Sequence, residues 1–129
     1  SILPNLLIKD IMEKIVEADA LKIFVINAMT QPGETDRHSA YDHVQTLISH
    51  TDPRIVDTCF INTQMIPKPI LARYREKSSY PVKLDTARIR ERGYEVLDGH
   101  MLKLDGQVRH DSEKLAKLVL DRYYHKVKL

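Results

Sequence analysis

The run Leu21-Lys22-Ile23-Phe24-Val25-Ile26-Asn27 most constrains the fold, because it is short, rich in β-branched residues and almost continuously apolar. A strand that is apolar on both of its alternating faces must be covered on both sides, and that is the habit of parallel sheets. Asp57 to Asn62 repeats the pattern, and helical periodicity separates the two runs. From Leu6 to Glu17, residues Leu7, Ile8, Ile11, Met12, Ile15 and Val16 share one helical face. Ser39 and Asp42 have the spacing of a capping box and open a helix over 39–50. Further helices are predicted at Pro67 to Lys77 and Thr86 to Arg92, with strands at Pro81 to Leu84 and Tyr94 to Leu97. Asp111 or Ser112 caps a last helix reaching Lys126. His100 to Asp105 fits either an extension of the last strand or a hairpin-like excursion.

Strands alternating with helices through short connections build right-handed βαβ units. The predicted fold is α/β: a Rossmann-like, open, mostly parallel sheet with helices on both faces, forming one domain or the C-terminal part of a larger one. No internal repeat, low-complexity stretch or Gly/Ser-rich linker marks a second domain. The chain starts Ser1-Ile2-Leu3 without an initiator methionine and enters an apolar helix at once, as expected of a cut piece.

Several function classes lose support at this level. Twenty Lys plus Arg against 18 Asp plus Glu leave a formal charge of +2 with the signs interspersed, so there is no electrostatic footprint for nucleic acid. No apolar run approaches the ~20 residues of a membrane span, and no signal-peptide pattern opens the chain. The lone Cys59, inside Cys59-Phe60-Ile61, reads as a buried, inert thiol of a reducing compartment, so a cytoplasmic setting is expected.

Ligands of open parallel sheets bind at the carboxyl ends of the strands, here marked by Asn27, Asn62, Asp85 and Asp98. The loop Met29-Thr30-Gln31-Pro32-Gly33-Glu34-Thr35-Asp36 leaves the first of these ends and runs into a helix N-terminus. Pro32-Gly33 permits close backbone approach, and a helix N-terminus favours phosphate, whereas Glu34 and Asp36 would repel it. The acids either accept hydrogen bonds from sugar or base groups, or hold a divalent cation, or simply complement the helix dipole. Ser39, Asp42 and His43 are better explained by capping than by a catalytic triad, and His38 and His43 lack the spacing of a metal site. Arg109, in Arg109-His110-Asp111 before the last helix, is the phosphate candidate on charge grounds. The Lys/Arg-rich stretch Lys114 to Lys128 reads as a helix with a solvated basic face, and Tyr74 and Tyr80 as core or rim aromatics.

Ser1-Ile2-Leu3-Pro4-Asn5-Leu6-Leu7, then Asn27-Ala28 running into the Met29 to Asp36 loop, then Ser39-Ala40, Asp42-His43-Val44 and Val108-Arg109-His110-Asp111 together resemble the bacterial gluconeogenesis factor family. That is the YvcK-like branch of the superfamily containing 2-phospho-L-lactate transferase. The resemblance implies a Rossmann-like cytosolic protein, often homo-oligomeric, that binds a UDP-sugar such as UDP-N-acetylglucosamine and acts in cell-wall growth and carbon-source adaptation. Binding rather than turnover is implied, with no catalytic residue assigned. The ligand-site candidates that follow are Asn27, Thr30, Gln31, Gly33, Glu34, Thr35, Asp36, Asn62 and Arg109, with Arg109 facing phosphate and the loop facing uridine or sugar. A transferase alternative places Mg²⁺ on Glu34, Asp36 or Asp85. A third reading is a partner-binding module using the first helix and the Tyr123 helix.

The chain departs from the family pattern at two places beside the loop. Arg37-His38 stand where the family commonly has Gly and an aromatic, and Tyr41 stands where it has a small or polar residue. Family members also carry an upstream half with a glycine-rich strand-to-helix turn, in which much of the phosphate cradle is expected to lie.

Overall fold

The structure, a computed structural model, describes residues 2–127. Its elements in chain order are α1 (Leu3–Leu6), α2 (Lys9–Glu17), β1 (Ile23–Val25), α3 (Ala40–His50), β2 (Thr58–Asn62), α4 (Lys68–Glu76), α5 (Thr86–Glu91), β3 (Glu95–Gly99), β4 (Leu102–Leu104), β5 (Val108–His110) and α6 (Ser112–Val127). β1, β2 and β3 form a parallel sheet in that order, with Ile23 opposite Thr58 and Thr58 opposite Glu95.

β2 is the central strand, and Thr58, Cys59, Phe60 and Ile61 are all buried. Successive side chains of a strand point to opposite faces, so the sheet is covered on both. On one face Cys59 and Ile61 join Ala40, Val44, Leu47 and Ile48 of α3, Ile89 of α5 and Val96 in the main apolar cluster. On the other, the Thr58 hydroxyl donates to Glu95 at 2.9 Å, and Glu95 accepts from Arg122 of α6 at 2.5 and 3.2 Å. Burial alone would raise the Glu95 carboxyl, but the hydrogen bonds from Arg122 and Thr58 outweigh it and hold the group below its ordinary value. Gly99 lets α6 come close at the end of β3, where a Cβ would stand 3.3 Å from Leu118. The expected α/β layering is therefore present.

Four local expectations are corrected. The single helix over 6–17 is two, because Ile8 is extended (ψ 111°) and turns the chain between α1 and α2. Leu3, Leu6, Met12, Ile15 and Val16 pack on the core, while Leu7, Ile8 and Ile11 face solvent instead of sharing that face. Pro81 to Leu84 is not a sheet strand: Pro81 lacks an N–H for a ladder and makes one isolated antiparallel bridge to Met29. Asp85 consequently ends no strand; it precedes α5, and its carboxylate accepts from the Tyr41 N–H at 2.8 Å. Asp98 lies within β3 rather than at its end. Of the two readings of His100 to Asp105, the hairpin is observed, with β4 and β5 antiparallel and Gly106 in the left-handed region (φ +89°) at their turn.

Asp111 caps α6 through the N–H groups of Glu113 (3.0 Å) and Lys114 (3.1 Å). Tyr123 and Tyr124 are exposed on that helix, and Lys128 of the predicted basic stretch lies outside the described residues. No helix among the described residues is long and apolar enough to cross a membrane.

Cys59 is fully buried beneath this packing, and burial pushes its thiol up to about 12. The native protein should therefore be inert to a thiol reagent such as dithionitrobenzoate, with labelling in denaturant following the unfolding transition. Rapid stoichiometric labelling of the native state would contradict this packing.

Candidate functional site

The loop after β1 is held from both sides. Internally, Thr35 Oγ1 accepts from the Gln31 N–H and Asp36 Oδ2 accepts from the Gly33 N–H, both at 2.8 Å. Gly33 sits at φ +81°, where a side chain would be strained, although no atom lies within 4 Å of a Cβ placed there. Externally, buried Thr30 clamps the loop to the chain after α4. Its N–H donates to Tyr80 O (2.8 Å), its hydroxyl oxygen accepts from the Tyr80 N–H (3.0 Å), and its carbonyl accepts from Ser79 Oγ (2.6 Å). The segment expected as a strand is instead this strap, which continues with Val82 N–H donating to Ala28 O at 3.0 Å. Beyond the loop, Ser39 and Asp42 form the predicted capping box, at 3.2 and 2.9 Å.

Two clefts flank the loop. The first, of about 470 Å³, lies between the loop, the end of α4 and the β4–β5 hairpin. It brings together Asn27, Thr30 and Gln31 with Arg109, and adds Lys77 and His110. Lys77 and Arg109 are cationic, and no carboxylate is among the described residues that line this cleft. Arg109 is ion-paired with Asp105 across the hairpin, and the guanidinium holds the Asp105 carboxyl below its ordinary value. α4 supports this wall, since the Val108 N–H donates to Tyr74 Oη at 2.7 Å and Arg73 donates to Gly106 O at 3.0 Å.

The second cleft, of about 300 Å³, lies on the opposite side of the loop, against β1 and α3. It holds Glu34 and Thr35 together with His38 and His43, and it shares Asn27 and Gln31 with the first. The acids that would oppose phosphate are thereby kept out of the cationic cleft. Glu34 faces the second cleft, and Asp36 is engaged within its own loop. Glu34, Asp36 and Asp85 do not gather into a metal-holding group among the described residues.

Asn62, Gly33 and Asp36 line neither cleft. The Asn62 amide instead anchors the hairpin: its oxygen accepts from the Gln64 and Met101 N–H groups, both at 3.2 Å, and its nitrogen donates to Gln64 O at 3.1 Å. Lys77, Ser79 and Tyr74 line the first cleft, yet sequence reasoning missed them because they belong to α4 and the strap rather than to a strand end. Their one sequence signal is the basic end of the 67–77 helix.

Both departures flanking the loop have structural consequences. Arg37 adopts φ +61°, the left-handed region that a glycine enters without steric cost. Tyr41 points away from the loop toward α5, stacking under Arg88 at 4.1 Å and sharing hydrogen bonds with Gln45 (3.2 Å) and Arg92 (3.4 Å).

The architecture defines a Rossmann-like α/β protein with two clefts flanking the loop after β1. The chain belongs to the family of 2-phospho-L-lactate transferase CofD, whose family profile matches residues 1–102. It is 42% identical over 121 residues to a putative gluconeogenesis factor of Aquifex aeolicus, covering 93% of this chain and 37% of that protein. It is 39% identical over 122 residues to the gluconeogenesis factor of Bacillus subtilis, covering 94% of this chain and 38% of that protein. A crystal structure of a UPF0052-family protein from Bacillus halodurans superposes with a TM-score of 0.90 at 32% identity, over 93% of this chain and 39% of that one. The chain thus spans under two-fifths of the length of each of these three relatives.

Arg37 gives one expected outcome, and the histidines His43 and His110 together give another. Arg37→Gly should raise stability in chemical denaturation by about 0.5–1 kcal/mol, the relief of a left-handed residue less the added flexibility of the unfolded chain. Burial pushes His43 and His110 below their ordinary 6.5, and the His43 hydrogen bond to Ser39 only partly opposes this. The unfolded chain protonates these rings first, so stability is full above about pH 6.5 and declines as pH falls through it. Melting temperatures should therefore drop between about pH 7 and pH 5, before the carboxylates titrate; a flat profile there would contradict the burial of both rings.

Proposed function

We propose that this chain carries one wall of a nucleotide-sugar site in a regulatory, non-catalytic protein of gluconeogenic growth and cell-wall morphogenesis, with UDP-N-acetylglucosamine a representative ligand. The observation that carries the reading is the partition of charge about the loop, with Lys77 and Arg109 in a cleft whose described lining residues include no carboxylate and Glu34 on the other side. A diphosphate matches the first environment, and uncharged hydroxyl and amide groups match the second. Arg109 would exchange its Asp105 partner for phosphate oxygens, a favourable trade for a planar donor fork already held on a strand. The relatives named gluconeogenesis factor support the gluconeogenic part of the reading. In the whole protein the rest of the phosphate cradle comes from outside this chain, and we place that protein in the cytoplasm as a homo-oligomer.

A second reading is favoured by the family match itself: Mg²⁺-dependent transfer of a phosphoryl-lactyl-type group, with Glu34, Asp36 or Asp85 supplying carboxylates. Product formation from a dinucleotide donor that is abolished by chelator would establish it.

Isothermal titration of the full-length protein with UDP-N-acetylglucosamine, beside an Arg109→Ala variant, tests the leading reading. Loss of the charge-assisted contact should cost about 1.5–3 kcal/mol, roughly 10- to 150-fold in affinity. Unchanged affinity in the variant would remove Arg109, and with it the assignment of the cationic cleft to phosphate.

A further inference from the structure

His43 is 8% exposed and stands in the first turns of α3, where its ring lines the second cleft. Its Nδ1 lies 2.8 Å from Ser39 O. A carbonyl oxygen can only accept, so Nδ1 carries the proton and Nε2 is left as a bare acceptor. That Nε2 is buried and has no hydrogen-bond partner. Buried acceptors without partners are disfavoured and rare, so a group from outside the described contacts is called for. Desolvation of the ring favours its neutral form, which makes the acceptor a match for a neutral donor rather than for an anion.

The surroundings select the same chemistry. Leu3, Phe24, Val25 and Leu47 supply an apolar wall, and Asn27, Gln31 and Thr35 supply polar groups. Glu34 disfavours phosphate at this side of the loop. The His38 ring stands edge-on to His43 at 5.7 Å, with its own Nδ1 buried and unpartnered. About 300 Å³ is at the small end of ligand cavities, room for a single ring rather than a whole nucleotide. Asn27 donates to Gln31 at 3.4 Å, and both residues line both clefts.

We propose that the second cleft seats an uncharged, hydrogen-bond-donating ring of the ligand, and that His43 Nε2 receives its N–H or O–H. The inference rests on the nucleotide-sugar reading for the rest of the ligand. A uracil imide and a sugar hydroxyl are the two sources of such a donor. Asn27 and Gln31 would then position the junction between the neutral ring and the diphosphate.

The test uses the full-length protein, titrated with UDP-N-acetylglucosamine, UDP and inorganic pyrophosphate. His43→Phe keeps a ring without an acceptor, and His43→Gln keeps an amide oxygen within reach of the Nε2 position. We expect His43→Phe to weaken UDP-N-acetylglucosamine about tenfold and leave pyrophosphate unchanged, with His43→Gln within about threefold of wild type. An equal loss for UDP assigns the donor to the uridine, and a loss confined to the sugar nucleotide assigns it to the N-acetylglucosamine ring. In ¹⁵N-histidine spectra of the unsubstituted protein, the His43 Nε2 resonance should move on saturation with UDP-N-acetylglucosamine, a measurement that survives misfolding of either variant. Wild-type affinity in His43→Phe, or an Nε2 resonance unmoved by bound ligand, overturns the inference. If Arg109→Ala leaves affinity intact while the His43 signal responds, only the phosphate assignment fails. The reverse result removes only His43.

Discussion

Everything in this structure depends on β2 being buried on both faces. A strand with Cys59 and Ile61 turned into an apolar layer and Thr58 and Phe60 buried on the opposite face cannot stand at a solvent surface. It requires α3 and α5 on one side and the Glu95–Arg122 link to α6 on the other. Parallel pairing with β1 and β3 then aligns the strand ends, so that the loop after β1 and the hairpin after β3 emerge from the same edge. The edge that carries the candidate site is thus a by-product of how the core is closed.

That edge is divided by a loop that is rigid for local reasons and positioned for distant ones. Its shape comes from short-range contacts: Gly33 at positive φ, Asp36 on the Gly33 N–H and Thr35 on the Gln31 N–H. Its position comes from Thr30, clamped to Ser79 and Tyr80 some fifty residues further along the chain. With the loop fixed between them, the two clefts have opposite electrostatic character. The conflict between a phosphate-favouring helix terminus and two nearby carboxylates is eased by geometry, since Glu34 lines the second cleft and Asp36 is engaged by the Gly33 N–H within the loop.

How legible each part was follows from the range of the interactions behind it. The capping box at Ser39 and Asp42, the cap at Asp111, the buried Cys59 and the covered central strand all rest on residues close in sequence or on a simple period. The strap at Pro81 to Leu84 was misread because its apolar, extended character is strand-like, while its missing N–H and its antiparallel contact with Met29 matter only in three dimensions. The helix break at Ile8 was hidden for a similar reason: which apolar side chains reach the core depends on the chain path between α1 and α2, not on periodicity.

By itself the sequence determined the α/β class, the central buried strand, and the loop and its turn chemistry, because each is encoded by local propensity or by alternation of apolar positions. Tertiary structure alone decided that Arg109 and Lys77 share a cleft with Asn27 and Gln31, that Asn62 braces the hairpin, and that His43, its Nε2 buried without a partner, lines a cleft with Glu34. Those relations join side chains from α4, β5, α3 and the loop after β1, and no local pattern specifies which of them the closed core brings within reach of one another.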